Sequence, residues 1–343
     1  MSTLPDGIES FIGNAGWGGA VIEPLPGDAS FRRYFRLRRT GEGEEPHASR
    51  ETAMLMHAPP PEEDPQPFLL VAQWLTSHGM RAPQILAQNP REGWVLIEDF
   101  GDDRMRDWLD THPGDEEAAY IAAIDALVDL HGQPAGPFSP YDTETYLRET
   151  CLFTQWFTPA HEMHVDDTGY DAAWRAVLEP LAHSPLNGVT VLRDYHAENI
   201  MLLDGKPGAP QGIIDFQDAL VGHVAYDLVS LLQDARRDVD QDLESRMLDH
   251  YRDARRSQAG NFDPENRLER EYAVLGAQRN AKIVGIFTRL AKRDGKPRYL
   301  TLIPRVWKLM ETDLAHPALE PVARWFDANI PDEMRRTGGG TIS

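Results

Sequence analysis

The amino-acid sequence predicts an α+β fold with two lobes: a small antiparallel β-sheet lobe with one helix, followed by a larger, mainly helical lobe. The chain of 343 residues is long for one compact domain and suits two. In its first part the apolar side chains alternate as they do in strands, whereas beyond about residue 102 they recur at helical spacing. We therefore expect one lobe over residues 1–101, a second over residues 102–343, and a cleft between them.

The first lobe is expected to contain five strands and one helix. Residues 26–30 favour a turn, so the runs on either side of them should form a β-hairpin. The proline-rich segment 59–65 must be a loop, since proline sustains neither a strand ladder nor a helix interior. A helix follows it, with Phe68 and Leu75 on one face, and ends near Gly79. The strand-like runs lie at 20–22, 31–37, 52–56, 84–87 and 94–97.

The second lobe is expected to be helical apart from two short strands. These strands, at 200–203 and 212–215, are separated by the turn-forming residues 204–207. Helices are predicted at 105–109, 116–131, 143–158, 170–182, 224–235, 240–256, 265–290 and 301–313.

The charge of the chain limits its partners. The sequence has 55 Asp and Glu residues and 34 Lys and Arg residues, a net charge of −21, which disfavours binding to nucleic acids or to an anionic membrane. No apolar run approaches the roughly 20 residues of a membrane-spanning helix. The single cysteine, Cys151, cannot form an internal disulfide, and the N-terminus lacks a secretory pattern. We expect a cytoplasmic protein, and nothing in the sequence implies an obligate protein partner.

Three polar residues of the second lobe form the most informative pattern. Asp194 is followed five residues later by Asn199, and Asp215 stands at the end of the next predicted strand. Pairing of the two short strands would bring these side chains to one edge of a hairpin. Phosphoryl transfer from ATP needs such a set, because a carboxylate must orient the attacking hydroxyl and Mg²⁺ needs hard oxygen ligands.

The pattern D-x-H-x-x-N, followed by a strand and I-D-F, resembles the catalytic core of the aminoglycoside phosphotransferase and choline kinase group, distant relatives of the protein kinases. The resemblance implies a bilobal protein-kinase-like fold with ATP and Mg²⁺ between the lobes. It implies that Asp194 is the catalytic base and that Asn199 and Asp215 hold the metal. His196 would brace the loop, and Asp227 would order it from the following helix.

The acceptor is expected to be a small molecule. Only eleven residues separate Asp215 from Asp227, and the chain has neither the D-F-G nor the A-P-E motif of protein kinases. Without room for an activation loop, a protein substrate is disfavoured.

Further segments resemble the bacterial anomeric amino-sugar kinases, which phosphorylate the C1 hydroxyl of N-acetylmuramate and N-acetylglucosamine in cell-wall recycling. Where that family usually has histidine in its H-R-D motif, this chain has Leu192, and we expect altered packing rather than lost activity. An aminoglycoside or choline-type acceptor, and an inactive nucleotide-binding module, are the alternatives. The matching segments are 27–37, 56–60, 152–157, 231–239 and 282–290.

A lysine expected from the resemblance is missing. The wider group grips the nucleotide phosphates with a third-strand lysine held by a helix glutamate, yet the first lysine here is Lys206 and the predicted helix after 59–65 has no glutamate. Either the protein is inactive, or arginines of the hairpin replace the lysine. The candidates are Arg32, Arg33 and Arg36. Strand alternation would put Arg32 and Arg36 on one face and Arg33 on the other.

The remaining site predictions concern adenine and the acceptor. Backbone groups of Glu98, Asp99 and Phe100, at the junction of the lobes, are expected to bind adenine. Residues 262–310 carry a net charge of +6, which either attracts an anionic sugar or forms one solvated helix face. Trp156 could stack on a sugar ring or pack in the core. The candidate acceptor contacts are Trp156, Glu198, Asp234 and Arg279.

Overall fold

The computed structural model describes residues 4–26, 32–39, 51–260, 262–263 and 265–338. Its first lobe is a five-stranded antiparallel sheet in the order β1-β2-β3-β5-β4. The strands are β1 (Val21–Pro24), β2 (Arg33–Arg39), β3 (Glu51–His57), β4 (Ile85–Asn89) and β5 (Trp94–Glu98). The helices are α1 (Ile8–Ile12), which runs into a π-helical turn at Gly13–Trp17, and α2 (Gln66–Ser77), between β3 and β4.

The two faces of this sheet pack against different partners. Phe35 and Leu55 are buried on the face that α1 covers. Met56 and Val95 are buried on the other face, in the large core that continues through α2 into the second lobe. Because neighbouring strand residues point to opposite faces, this alternation decides which side chains of β2 and β3 look toward the second lobe.

The second lobe consists of helices around two short antiparallel strand pairs. Strand β6 (Asn187–Val191) pairs with β9 (Leu220–His223), and β7 (Ile200–Met201) pairs with β8 (Gly212–Ile213). The helices are α3 (Met105–Thr111), α4 (Glu116–Gly132), α5 (Thr143–Leu152), α6 (Thr158–Ala160), α7 (Asp167–Leu178), α8 (Ala225–Leu232), α9 (Gln241–Ala259), α10 (Arg267–Lys292), α11 (Ile303–Leu314), α12 (Glu320–Asn329) and α13 (Asp332–Thr337). The long helix α10 is buried along most of its length and packs against α5, α8 and α11.

The predicted fold class is confirmed, and the differences are local. The predicted strand 212–215 is shorter, because Asp215 has a left-handed φ of 60° that no regular strand accommodates. The sequence analysis did not predict the β6–β9 pair or the helices α1, α12 and α13. Of the predicted hairpin turn, residues 27–30 lie outside the described residues. Strand β5 ends at Glu98 and α3 begins at Met105, and the boundary predicted near residue 101 falls between them.

In the described part of the chain, no helix combines the length and the apolar character needed to cross a membrane.

Candidate active site

The loop between β6 and β7 carries the predicted base, and Asp227 holds the start of this loop. The backbone N–H groups of Leu192 and Arg193 donate to the two carboxylate oxygens of Asp227, at 2.7 and 2.8 Å. Arg193 has a left-handed φ of 72°, so these bonds fix a turn that a residue with a side chain rarely adopts. Burial raises the pKa of Asp227 to about 7, although the two N–H groups lower it.

Asn199 and Asp215 meet because β7 pairs with β8, with Ile200 opposite Ile213. The Nδ2 of Asn199 donates to the backbone oxygen of Asp194 at 2.9 Å and lies 3.4 Å from Oδ2 of Asp215. The structure thus brings together the three residues that the motif singled out.

The donor atoms of this pair suit Mg²⁺. Asp215 supplies carboxylate oxygens, and Asn199, whose Nδ2 is engaged by Asp194, would supply its carbonyl oxygen Oδ1. These are hard oxygen ligands of the kind that Mg²⁺ prefers. Burial raises the pKa of Asp215. The hydrogen bond from Gln217 lowers this pKa, and the negative charge of Asp194 raises it further. A cation bound at Asp215 would favour the ionised form of this carboxyl.

Asp194 is held ionised by cations from α10. Burial alone would raise its pKa, but Arg279 and, after it, Lys282 bring the pKa of Asp194 below its usual value. The Nη2 of Arg279 lies 3.4 Å from Oδ1 of Asp194 and donates to Ser230 Oγ at 2.7 Å. Arg279 is only 5% exposed, and its hydrogen bonds go to Ser230 and to the loop that carries Asp194; its predicted contact with the sugar remains a prediction.

A second set of charged residues, from α5 and α10, contacts the loop. Glu149 of α5 accepts hydrogen bonds from Arg193 and from the hydroxyl of Tyr141, and its Oε1 lies 3.0 Å from Nζ of Lys282. Although burial raises the pKa of Glu149, Lys282 and Arg193 together bring it below its usual value. This network connects the catalytic loop to both α5 and α10.

Glu198 lies between two arginines. Its Oε2 is 3.0 Å from Nε of Arg236, and its Oε1 accepts a hydrogen bond from Arg106. Arg106 also pairs with Asp107, so the two guanidinium groups beside this loop are matched by two carboxylates. Glu198 was predicted to contact the sugar directly, and the structure uses it to hold these two cations.

Asp234 and His196 lie next to Arg236. Asp234 is 2% exposed; its Oδ1 accepts the backbone N–H of Arg236 at 2.8 Å, and its buried Oδ2 has no hydrogen-bond partner among the described residues. Burial raises the pKa of Asp234. Burial, then Arg236, lowers the pKa of His196 to about 3, so its imidazole is neutral. Its Nε2 lies 3.4 Å from Nδ2 of Asn199; that His196 braces the loop remains a prediction.

Trp156 lies in the π-helical turn Phe153–Phe157 and is partly exposed. Its neighbours Phe153 and Phe157 are buried in the main core, whereas Trp156 belongs to neither core cluster of the described residues. Among the described residues, no hydrogen bond joins Trp156 to Asp194. Stacking of a sugar on Trp156 therefore remains a prediction.

The three connecting residues predicted to bind adenine direct their side chains elsewhere. Glu98 forms an ion pair with Arg81, and Phe100 lies under the same guanidinium, 4.6 Å from the ring centre. Both border a cavity of 390 Å³ whose other side is the loop after β7, away from Asp194. The carboxylate of Asp99 binds Arg36. The prediction concerns their backbone groups, and hydrogen bonding of these groups to adenine remains a prediction.

Arg36 joins the sheet to the connecting segment. Its Nε lies 2.8 Å from Oδ2 of Asp99, its Nη1 donates to Asp102 at 2.8 Å, and its Nη2 donates to the backbone oxygen of Gly101 at 3.1 Å. The residue is 6% exposed. We had expected Arg36 to contact phosphate; the structure gives its guanidinium to two carboxylates and a carbonyl instead.

Arg32 and Arg33 diverge as strand alternation requires. Arg33 lies over the ring of Phe35, at 5.2 Å, on the face that α1 covers. Arg32 precedes β2; its Nε lies 3.3 Å from Oε2 of Glu63, and it is close enough to Asp215 to lower the pKa of that carboxyl. Of the three predicted arginines, Arg32 is the one whose charge influences Asp215.

The sequence analysis missed several charged residues of the site. Glu63, Arg106, Glu149, Arg236 and Lys282 all act through ion pairs with residues far away in the sequence. No local pattern reports such pairs, because a charged side chain on a loop or helix surface is ordinarily solvated.

Comparison with known proteins identifies the group to which this site belongs. The sequence pattern of the phosphotransferase enzyme family matches residues 21–260. An N-acetylmuramate/N-acetylglucosamine kinase of Caulobacter vibrioides is 36% identical over 95% of this chain and 97% of its own. The kinase of the same description from Pseudomonas aeruginosa is 36% identical over 92% of this chain and 89% of its own.

A solved structure supports the fold at lower identity. The streptomycin–ATP–APH(2")-IIa ternary complex superposes with a TM-score of 0.59, at 14% identity, over 88% of this chain and 97% of the other.

Proposed function

Since the chain belongs to the phosphotransferase enzyme family that includes the N-acetylmuramate/N-acetylglucosamine kinases, we propose that it transfers the γ-phosphoryl group of ATP to the C1 hydroxyl of these amino sugars, in cell-wall recycling. The observation that carries the proposal is the meeting of Asp194, Asn199 and Asp215 beside a region that contains Arg106 and Arg236. The chain is a kinase that phosphorylates a sugar hydroxyl; the identity of the sugar and of the hydroxyl is the proposal.

Asp194 acts on the acceptor. Its lowered pKa keeps the carboxylate ionised at neutral pH, so it accepts a hydrogen bond from the C1 hydroxyl and aligns the hydroxyl oxygen with the γ-phosphorus. As the new O–P bond forms and the bond to ADP breaks, the hydroxyl proton passes to the Asp194 carboxylate. Phosphoryl transfer has a loose transition state, so orientation and charge stabilisation contribute most of the rate.

Asn199 and Asp215 would hold Mg²⁺ on the triphosphate. The metal supplies positive charge that neutralises the phosphate oxygens during transfer. The contribution of the chain is to keep the two ligands together, through the β7–β8 pairing and the Asn199–Asp194 bond.

The acceptor side suits an amino sugar. The buried Oδ2 of Asp234 would accept a sugar hydroxyl, because a buried oxygen without a partner is costly. Arg236 and Arg106, held by Glu198, would attract the lactyl carboxylate that N-acetylmuramate has and N-acetylglucosamine lacks. We also propose a cytoplasmic location, where ATP is present, and binding of neither nucleic acid nor membrane, in keeping with the net charge of −21.

The proposal is tested by measuring ATP consumption with N-acetylmuramate, N-acetylglucosamine, glucose, kanamycin and choline. Turnover with the two amino sugars, and a product whose phosphorus signal couples to the anomeric proton, is expected. Faster turnover with kanamycin or choline would replace the proposal with the corresponding acceptor. Nucleotide binding without turnover on any acceptor would show an inactive module.

A further inference from the structure

The structure indicates which residue could replace the missing third-strand lysine. Strand β3 presents Met54 and Met56 toward the second lobe, where the wider group would have its lysine, and neither can bind phosphate. The nucleotide phosphates would therefore need a cation from another part of the chain.

The arginines within β2 contact groups away from the proposed phosphate site. Arg36 binds Asp99 and Asp102, Arg38 binds Glu23 at 2.8 Å, and Arg39 binds Glu51 and stacks on Trp17. Arg33 lies on the opposite face of the sheet.

Arg32 lies two positions before Tyr34, so the two side chains share the side of the sheet that faces the second lobe. The hydroxyl of Tyr34 donates to Sδ of Met56 at 3.4 Å, and Tyr34 packs against the core that continues into the second lobe. The guanidinium of Arg32 therefore lies on the cleft side of the first lobe, where the phosphates of ATP would lie.

Glu63 fixes the position of Arg32. Its Oε2 is 3.3 Å from Nε of Arg32, and the two side chains are only 18% and 15% exposed. Its backbone is fixed on both sides, since the N–H of Glu63 donates to Pro59 at 3.1 Å and the next residue, Asp64, caps the N–H of Gln66 at 2.9 Å. The carboxylate therefore reaches the arginine from the loop before α2 rather than from within that helix.

We propose that the pair Arg32 and Glu63 replaces the lysine–glutamate pair of the wider group, with Arg32 binding the phosphates of ATP and Glu63 acting as its positioning residue. The inference rests on the proposed function for its nucleotide. A guanidinium whose Nε is paired with a carboxylate can still bind phosphate oxygens through its Nη groups. One arginine can therefore be held by a glutamate and bind phosphate at the same time, as the lysine does in the wider group. The pair is formed by two loops that lie next to each other because Arg33 is opposite His57 in the β2–β3 ladder.

The test measures equilibrium binding of MgATP and of adenosine, which has no phosphates, by titration calorimetry. We expect Arg32→Ala to weaken MgATP binding about 10- to 30-fold and Glu63→Gln to weaken it about fivefold, with adenosine binding changed less than about twofold. Glu62→Gln is the matched control, because it makes the same charge change at the exposed neighbouring position. Arg32→Lys should restore part of the affinity that Arg32→Ala loses.

The double variant decides whether the two residues act together. If Glu63 acts through Arg32, then Arg32→Ala with Glu63→Gln should bind MgATP about as weakly as Arg32→Ala alone, because coupled residues are not additive. Losses that multiply would overturn the proposal, as would equal losses for adenosine and MgATP, or a Glu63→Gln variant that behaves like Glu62→Gln.

Steady-state kinetics separate this inference from the proposed function. Glu63→Gln should raise KM for ATP while KM for the sugar stays unchanged; a merely structural defect would alter both and lower the melting temperature. If no amino sugar is phosphorylated but the MgATP and adenosine results hold, the proposed acceptor fails and the pair stands. If the amino sugars are turned over and MgATP binding is unaffected in both variants, the pair fails alone.

Discussion

The two sides of the cleft are held together in different ways. On the side of the second lobe, the catalytic loop is fixed by backbone N–H groups that donate to the buried Asp227, and its polar residues come from one contiguous stretch. On the side of the first lobe, the contacts are ion pairs between separate loops and strands, such as Arg36 with Asp99 and Arg32 with Glu63. The first arrangement leaves a motif in the sequence, and the second leaves none.

The two sides also differ in how strictly their residues must be placed. A base and two metal ligands must keep fixed positions, because they act on reacting atoms and a metal with strict geometry. A phosphate-binding cation has only to place positive charge, and more than one strand of a sheet can do so. The four predictions below test each side, beginning with the largest effect.

Asp194→Asn should abolish nearly all turnover. The amide keeps the shape of the side chain but cannot take the hydroxyl proton, so we expect kcat to fall about 10³-fold, within the range of general-base catalysis. MgATP affinity should remain within about twofold, because Asp194 is not a proposed metal ligand. Steady-state kinetics and nucleotide titration measure both quantities.

Asp249→Asn is a suitable control for this variant, since Asp249 is an exposed residue of α9 that pairs with Arg252. An Asp194→Asn variant as active as this control would exclude Asp194 as the base.

Arg36→Ala should destabilise the protein more than it weakens ATP binding. The substitution leaves the carboxylate of Asp99, which is only 2% exposed, without its cation, and breaking a buried pair in this way costs about 3 kcal/mol. The free energy of unfolding in urea measures the loss. Arg38→Ala is the comparison, because its pair with Glu23 is 35% and 45% exposed and should contribute less than about 1 kcal/mol.

An opposite result for Arg36 would revive our sequence-based expectation. If Arg36→Ala unfolds like Arg38→Ala but raises KM for ATP about tenfold, then Arg36 leaves Asp99 and binds phosphate when the nucleotide is present.

The sequence predicted the fold class for physical reasons, and it pointed to three polar residues that the structure brings together. Alternating and helical periodicities report which face of each element is buried, and the 194–199–215 spacing reports a hairpin. The left-handed Asp215 was not predicted, because a φ above zero at an aspartate depends on tertiary contacts. Arg279 and Glu198 were assigned to the sugar because their charge suited it, and their partners, Asp194 and Arg236, are visible only in three dimensions.

Arg279→Met should shift the pH dependence of turnover. Arg279 is the strongest influence that lowers the pKa of Asp194, so its removal raises that pKa and favours the protonated, inactive form. Because its pKa is lowered, the Asp194 carboxyl stays ionised at pH values at which an ordinary aspartate is already protonated. Without Arg279, Asp194 would become protonated at a higher pH. We expect kcat to change little at neutral pH and to fall severalfold toward pH 5, with the acid limb of the profile moved to higher pH.

Arg270→Met, at an exposed position of the same helix, should leave the profile unchanged. If Arg279→Met lowers kcat equally at every pH, Arg279 supports the loop without influencing the charge of Asp194.

Arg236→Gln should change the selectivity between the two amino sugars. This variant tests whether an ion pair between distant residues affects substrate binding in the second lobe, as we propose for Arg32 and Glu63 in the first. The substitution keeps a hydrogen-bonding group beside Glu198 but removes the positive charge. We expect KM for N-acetylmuramate to rise about fivefold while KM for N-acetylglucosamine changes less than about twofold, because only the former carries a carboxylate. Arg305→Gln, whose partner Asp238 is 80% exposed, serves as the control. Equal changes for both sugars would mean that Arg236 supports Glu198 and Asp234 without reading the charge of the substrate, and the selectivity would then have to come from Arg106 on the other side of the same carboxylate.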